Sequence, residues 1–396
     1  MSKGRVIVQC DWNQVYREGD GKFWICYKCL GEASVYSNIL CSRDVDGQVR
    51  LHPEDDSFKV TYHSQNKLKI SYVSEHSQSL SVTFRSASRE FTPHGKIKKV
   101  TCLDVTNGGL GLSCAENSTT LKIWETSNGT VRRELSGHVG DIFTAKFFPS
   151  GLVVLSAGAD TQLKVWSAET GACAATISGH KAGVLEVDFV ERGRNVVSCS
   201  RDGTAKLWDV SQQQCIHTYS TSSGLGVINS FSLHDTQAID LGPTSGCSNE
   251  EVGTEGKILL LALESGKLQA FGLNTKQQLF EVSPTQVGAI NCVKFVTGNS
   301  FVFGSENGVV GVYDLRNLSE PLKLDQECRS SIKCVKPFGQ GFFYATADGS
   351  SVYVDETLSL SYEHTGADCD PVYQVAHSNN DVYTSCRDGA IRVYPL

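Results

Sequence analysis

Along most of the chain apolar and polar residues alternate in short runs such as VTCLDV and INCVKF, each bounded by Gly, Asp, Asn or Ser. Period-two alternation puts successive side chains on opposite faces of an extended strand, whereas an amphipathic helix needs apolar residues at i, i+3, i+4 and i+7. No stretch sustains the helical period. The pattern predicts an all-β protein built of many short strands joined by tight turns.

The strands come in a repeat. The segments TTLKIWET, TQLKVWSA and GTAKLWDV set Trp124, Trp166 and Trp208 at intervals of 42 residues, each after a turn signal: Glu116-Asn117, Ala159-Asp160 and Arg201-Asp202-Gly203. Weaker copies centre on Phe271, Tyr313, Val354 and Tyr394 at spacings of 42, 41 and 40, which makes seven units. Only the 63-residue interval from Trp208 to Phe271 breaks the period. A solvent-exposed loop insertion over 235–257 in the fourth unit, rich in Gly, Ser, Thr and acid, accounts for it. Units of about 40 residues with four short strands are the blades of a β-propeller, here seven-bladed.

Gly-His followed some 28 residues later by a Trp-Asp-like dipeptide resembles the WD40 repeat. The resemblance implies a buried hydrogen-bond chain of His138, Ser156, Asp160 and Trp166 in one blade, and of His180, Ser198, Asp202 and Trp208 in the next. A buried carboxylate is tolerable only where donors surround it, and His and a turn backbone supply them. His180, Ser198 and Asp202 also have the composition of a catalytic triad, but the same set recurs one repeat earlier and a hydrolase needs it once, so a structural role is expected. Blade seven keeps Thr384, Asp388 and Tyr394 without a matching His, blade five has Asn307 in place of Asp, and blade four has Ser265.

A ring of blades must close. The seventh repeat ends at Tyr394, leaving no room for its outermost strand, and the alternation of Leu80, Val82 and Phe84 makes 79–91 the expected closing strand of the last blade. Residues 1–78 fit no repeat. Their runs GRVIVQ, KFWICY and KLKISYV predict a small β-rich N-terminal domain, with the propeller over 79–396. Cys26 and Cys29 form a CxxC, but Cys10 and Cys41 stand alone rather than as a second pair, so no metal site is expected.

Composition narrows the function classes. Residues 1–90 hold 12 Lys and Arg against 11 Asp and Glu, and residues 91–396 hold 24 against 32, so the acidic excess behind the formal charge of −7 lies in the second part of the chain. An acidic domain with no basic run lacks the footprint for nucleic acid or an anionic membrane. The 15 cysteines lie mostly in apolar runs without framework spacing, as small hydrophobes of a reducing compartment do. With no signal-peptide pattern and no membrane-length apolar run, the expected location is the cytoplasm, with the nucleus open as well. No phosphate-binding glycine loop, HExxH, calcium loop or nucleophile elbow is present, so no enzyme activity, catalytic residue, cofactor or small-molecule substrate is expected.

What remains is surface. In WD40 folds the Gly-His loop and the tight turn before the Trp strand emerge on one face, usually the binding face. That face would carry Glu116, Glu264, Glu306, Glu327, Asp368 and Asp370, with Arg201 and Arg387 as its chief cations. The excess is acidic and suits a basic protein partner. Alone, the chain is expected to be a monomer.

Beyond the repeat, the chain resembles the proteasomal ATPase-associated factor 1 family over nearly its whole length, through FFPSGLVVLSAGADTQLKVWSAE, ERGRNVVSCSRDGTAKLWD, EVGTEGKILLLA, TGADCDPVYQVA and CRDG. Departures concentrate in residues 1–90 and in blade one, where ENST replaces the usual Asp-Gly turn. The resemblance implies an assembly chaperone of the proteasome regulatory particle that binds the C-terminal domain of a base ATPase subunit and hinders premature association with the core particle. The competing reading is a general WD40 scaffold or a ubiquitin-ligase substrate receptor. That reading calls for a second partner motif, and none is visible.

Overall fold

Strands that are apolar on alternate positions must bury a face against a second sheet, and this chain does so by stacking sheets in a ring. The computed structural model describes residues 4–396 apart from 30, 74–78, 97, 222–225, 244–249 and 327–329. Seven antiparallel blades follow one another, and the first strand of each is innermost: Val100–Val105, Ile142–Phe147, Val184–Val190, Ile228–Asp235, Ile290–Phe295, Ile332–Phe338 and Val372–His377. Neighbouring innermost strands touch all the way round, and the seventh meets the first. Second strands such as Asn195–Ser200, Lys257–Leu263 and Ser300–Ser305 are buried on both faces, which is why they read as nearly continuous apolar runs rather than alternating ones.

The repeating large residue is the inter-blade wedge. Trp166 packs with Leu112 and Leu121 of blade one, Trp208 with Leu155 and Val165 of blade two, and Phe271 with Val197 and Leu207 of blade three. Tyr313 lies against Leu260 of blade four, Val354 against Val302 of blade five, and Tyr394 against Phe343 of blade six. Trp124 completes the circle by packing on Ile391 and Val393 of blade seven. Each blade therefore leans on the one before it, and each buried aromatic contributes on the order of 2–3 kcal/mol of apolar transfer.

A second, polar ring lies inside. Asp104, Lys146, Asp188, Lys294 and Lys336 occupy the same position of their innermost strands. Lys146 reaches Asp188 at 3.0 Å and Glu186 at 3.6 Å, and Lys294 reaches Glu186 at 2.5 Å. Burial by itself would raise the Glu186 and Asp188 carboxyls, yet the two lysines hold both below the usual range. Glu186 also accepts from Ser230 Oγ and the Phe231 amide, so these charges link blades two, three, four and five across the channel.

The ring closes differently from the sequence expectation. The strand containing Leu80, Val82 and Phe84 is Ser79–Ser86, and it does not join blade seven. It runs parallel to Leu360–Thr365, the outermost strand of blade six, with Phe84 opposite Glu363 and Ser86 opposite Thr365. Blade seven is completed by the three residues Arg89–Phe91, antiparallel to Ile391–Pro395, with Phe91 opposite Ile391. Alternation identifies a strand and its buried face but carries no information about which sheet edge the strand will meet.

The N-terminal module consequently runs to about residue 86 rather than 78. Strands β1 (Arg5–Val8), β2 (Gly21–Lys28), β3 (Val35–Arg43) and β4 (Val49–Pro53) make one sheet, with the short helix α1 (Trp12–Glu18) between β1 and β2. Strands β5 (Phe58–Ser64), β6 (Lys67–Val73) and β7 (Ser79–Ser86) extend blade six into a seven-stranded sheet. The two sheets enclose a separate core of Trp12, Phe23, Ile25, Ile39, Phe58, Ile70, Val82 and Phe84, in which Tyr27 stacks on Tyr72 at 4.0 Å. Trp12 donates its indole N–H to Thr365 Oγ1 at 3.0 Å, and Arg5 binds Glu363 at 2.6 Å as well as Ser350.

The insertion over 235–257 falls between the first and second strands of blade four, at the end of the blade opposite the tight turns that precede the wedge residues. Its first part runs into 244–249, outside the described residues, but 250–256 is docked rather than loose. Asn195 of blade three donates to the Glu250 carbonyl at 3.0 Å and accepts from the Val252 amide at 2.6 Å, and Glu251, almost fully buried, pairs with Lys276 at 2.5 Å.

The closure can be tested by truncation. A chain beginning at residue 87 keeps Arg89–Phe91 and should remain a closed propeller with a lowered Tm, because it loses only the cover over blade six. A chain beginning at residue 96 leaves the edge of Ile391–Pro395 unpaired and should aggregate on size-exclusion chromatography. Identical elution and melting of the two would contradict closure by Arg89–Phe91.

Candidate protein-binding face

One backbone hydrogen bond recurs in all seven blades and defines the upper face. The first residue of the tight turn after the second strand donates its amide to the carbonyl just before the innermost strand: Glu116 to Lys99, Ala159 to Asp141, Arg201 to Gly183, Glu264 to Val227, Glu306 to Ala289, Ala347 to Ser331 and Arg387 to Pro371. Glu116, Arg201, Glu264, Glu306 and Arg387 are thus one structural position repeated round the ring, and all five are exposed.

Their neighbourhoods differ. Lys99 pairs with Glu116 at 2.7 Å, Arg387 with Asp370 at 3.7 Å, and the Arg201 guanidinium lies 5.1 Å from the centre of the Phe143 ring. Glu264 and Glu306, on adjacent blades, have no ion pair among the described residues. The rim is therefore mixed in charge, with its unneutralised acid on blades four and five. Glu327 lies outside the described residues. Asp368 is exposed but stands beside the N-terminal module: burial, with Asp368 and Asp11 nearby, pushes the Cys10 thiol up to about 11. At the centre, a depression of about 780 Å³ has Ile142, Phe143, Leu185 and Val227 among its lining, with Glu116, Asp141, Arg201 and Glu264 around them. A concave centre that mixes apolar, amide and charged side chains suits a protein-docking surface.

Beneath this face the His–Ser–Asp–Trp chains hold the turns. His180 Nδ1 lies 2.8 Å from Asp202 Oδ2, and its Nε2 is 2.7 Å from Ser198 Oγ, which accepts from Trp208 Nε1 at 2.7 Å. Blade two repeats this with His138, Asp160, Ser156 and Trp166 at 2.7, 2.7 and 2.8 Å. The network fixes the tautomer: the carboxylate only accepts, so Nδ1–H donates to it, and Nε2 of the neutral imidazole then accepts from the serine hydroxyl. Ser156 and Ser198 are completely buried, capped by indole on one side and imidazole on the other, so neither can reach a substrate. Burial by itself would raise the Asp202 carboxyl, but bonds from Thr204, the Lys181 amide and His180 hold it down at about 2. The glycine before each histidine is required: Gly137 and Gly179 have φ of 152°, and a Cβ there would meet the indole of Trp166 or Trp208 at 3.1 Å.

Blade one has a chain the sequence reading missed. His94 Nε2 lies 2.9 Å from Ser113 Oγ, which accepts from Trp124 Nε1 at 3.0 Å. The separations are 19 and 11 residues where blade two has 18 and 10, so a fixed-spacing search passes over it. The signal was Pro93-His94-Gly95 upstream of the first Trp, obscured by a turn one residue longer, since Cys114 pairs with Leu121 where Ala157 of blade two pairs with Leu163. The innermost-strand charges at 104, 146 and 188 were legible as well, at the 42-residue period of the wedges.

Among the described residues no three His, Cys, Asp or Glu side chains gather to hold a metal ion, and no helix is long and apolar enough to cross a membrane. Cys26 pairs with Tyr36 on the outward face of β2 and β3, while Cys41 lies in the enclosed core, so the two do not converge.

The WD domain, G-beta repeat family model matches residues 129–167 and 171–209, the two blades with complete hydrogen-bond chains. Over 98% of this chain and 98% of their own length, proteins named proteasomal ATPase-associated factor 1 from Homo sapiens and Gallus gallus are 43% and 42% identical to it. The chain belongs to the proteasomal ATPase-associated factor 1 family. A more distant relative in Dictyostelium discoideum, named probable proteasomal ATPase-associated factor 1, is 36% identical over 98% of this chain. Membership of the family extends through the N-terminal module and the insertion, not the repeats alone.

Asp202→Ala should destabilise the protein by about 1–3 kcal/mol in urea unfolding, because His180, the Lys181 amide and Thr204 lose their acceptor together. A midpoint equal to wild type would contradict a buried role. Acid should also destabilise it. Burial holds the imidazoles of His138 and His180 below the usual histidine value and pushes His94 down to about 4. A histidine depressed in the folded state contributes stability that is present above its unfolded pKa of about 6.5 and is lost as protons bind the unfolded chain below it. Tm should therefore fall on acidification from pH 6.5 to about 4, and His94→Gln should shallow the slope; a profile flat across that window would contradict neutral, buried imidazoles.

Proposed function

We propose that the protein is a non-catalytic assembly chaperone of the proteasome regulatory particle, acting in the cytoplasm with the nucleus as a second location. In this reading it binds the C-terminal domain of a base ATPase subunit and, by occupying it, hinders premature association with the core particle. The observation that carries the proposal is whole-chain kinship with proteins named for association with proteasomal ATPases. The upper face supports it, since Glu264 lines the central depression and Glu306 is exposed at the same turn position on the next blade, unneutralised acid that suits a basic partner surface. Charge reversal at Asp368 or Asp370 is a poorer test, because Asp370 pairs with Arg387 and Asp368 stands against the N-terminal module.

The test is association kinetics with each base ATPase C-terminal domain in turn. Combined Glu264→Lys and Glu306→Lys should slow association by about tenfold at low salt, and the wild-type rate should fall as salt rises, because exposed charges are screened beyond roughly 10 Å at 0.1 M. Glu320→Lys, on an exposed turn at the opposite end of blade five, should leave the rate unchanged. Unaltered kinetics in the double variant, or no binding to any of the domains, would overturn the proposal.

A further inference from the structure

Three asparagines of the chain are followed by glycine: Asn107, Asn128 and Asn307. The backbone nitrogen after an asparagine can attack its side-chain amide, and glycine, with no Cβ, leaves that nitrogen least shielded. All three asparagines are exposed, so the reacting atoms themselves must distinguish them. At Asn128 the Gly129 amide donates to the Glu125 carbonyl at 2.8 Å, and Nδ2 donates to Glu125 Oε2 at 3.0 Å. At Asn307 the Gly308 amide donates to the Ser305 carbonyl at 3.3 Å, and Nδ2 donates to the Gln286 carbonyl at 2.9 Å. At Asn107 neither the Gly108 amide nor Nδ2 has an acceptor among the described residues, and Gly108 is exposed as well. The attacking nitrogen and the leaving group are both uncommitted at this position alone.

The side-chain oxygen of each asparagine accepts a hydrogen bond, at Asn107 from the Asn379 amide at 3.1 Å. A backbone amide only donates, which fixes the Asn107 side chain, and the donor stands where negative charge develops when a nucleophile adds to Cγ. The turn does not need glycine at 108 for its shape. Gly129 and Gly308 have φ of 76° and 82°, in the left-handed region, whereas Gly108 lies outside it, and a Cβ there would meet only Thr106 Oγ1, at 3.6 Å.

From these differences we propose that Asn107-Gly108 is a site of spontaneous modification to isoaspartate. The Gly108 nitrogen bonds to Asn107 Cγ and the Cγ–Nδ2 bond breaks. The proton of the Gly108 amide passes by way of water to Nδ2, which leaves as ammonia. One water then opens the five-membered imide at either carbonyl, giving aspartate or isoaspartate, so the sum consumes one water and releases one ammonia. The Asn107–Asn379 bond joins the turn between Val100–Val105 and Leu110–Ala115 of blade one to the turn between Val372–His377 and Asp381–Cys386 of blade seven. The modification therefore falls on the seam at which the ring closes, at the end of the propeller opposite the upper face. Aspartate keeps the backbone and an acceptor for Asn379. Isoaspartate carries the backbone through the β-carbon, lengthens the turn and displaces that acceptor.

The experiment incubates the full chain in mildly alkaline buffer at physiological temperature, followed by peptide mapping with electron-transfer fragmentation, which tells isoaspartate from aspartate. Product at Asn107 should accumulate about tenfold faster than at Asn128 or Asn307, and in urea the three rates should converge, because the fold alone separates them. Gly108→Ala should slow the reaction at Asn107 by about tenfold while Tm stays near wild type, since the added Cβ shields the nitrogen without straining the turn. The isoaspartate form, isolated by ion exchange, should melt below Asn107→Asp. Faster or equal modification at Asn128 or Asn307 in the folded chain, no product at Asn107, an unchanged rate in Gly108→Ala, or an isoaspartate form that melts with Asn107→Asp would each overturn the proposal.

Discussion

Everything in this structure depends on each blade leaning on its predecessor through one large buried side chain. Trp166, Trp208, Phe271, Tyr313, Val354 and Tyr394 each insert into the blade before, and Trp124 inserts into the seventh. A ring of such contacts has no weak end only if it is closed, since an open one would present one blade's apolar face and one strand edge to water. Three residues, Arg89–Phe91, complete the seventh blade, and Phe91 sits 5.7 Å from Trp124, so the closing strand and the first wedge share one cluster.

Polar groups then divide the labour by depth. The His–Ser–Asp–Trp chains lie directly under the upper turns and bind their amides, which sets the positions of Val139 and Lys181 at the surface. Deeper, lysines and carboxylates of the innermost strands pair across the channel, where unpaired charge would be costly. At the rim, Glu264 and Glu306 stand without an ion pair among the described residues. A rigid scaffold below and uncommitted charge above is what a binding surface needs, because little ordering entropy is then lost on docking.

The N-terminal module is part of the propeller's architecture rather than an appendage. Its strands continue the sheet of blade six, and Trp12 and Arg5 bind residues of that blade's outermost strand and upper turn. It covers the edge where blade six would otherwise present an unpaired strand. Its own outer face, in contrast, leaves Trp24, Tyr36 and Leu40 exposed.

How much of this was legible follows from the kind of information each feature needs. The blades, the wedges and two hydrogen-bond chains were written in the sequence, because a period near 42 residues and a Gly-His to Trp-Asp spacing are local and repeat. The hydrogen-bond chain of blade one escaped by one residue of register at each step. The sequence also determined that residues around Leu80 form a strand with one apolar face, since alternation is a property of the strand itself. Which edge that strand met, which acidic turns were already neutralised by Lys99 or Arg387, and that Trp24, Tyr36 and Leu40 share a face were decided only by the tertiary structure. Strand pairing, ion pairing and exposure are relations between residues distant in the chain, and no single segment carries them.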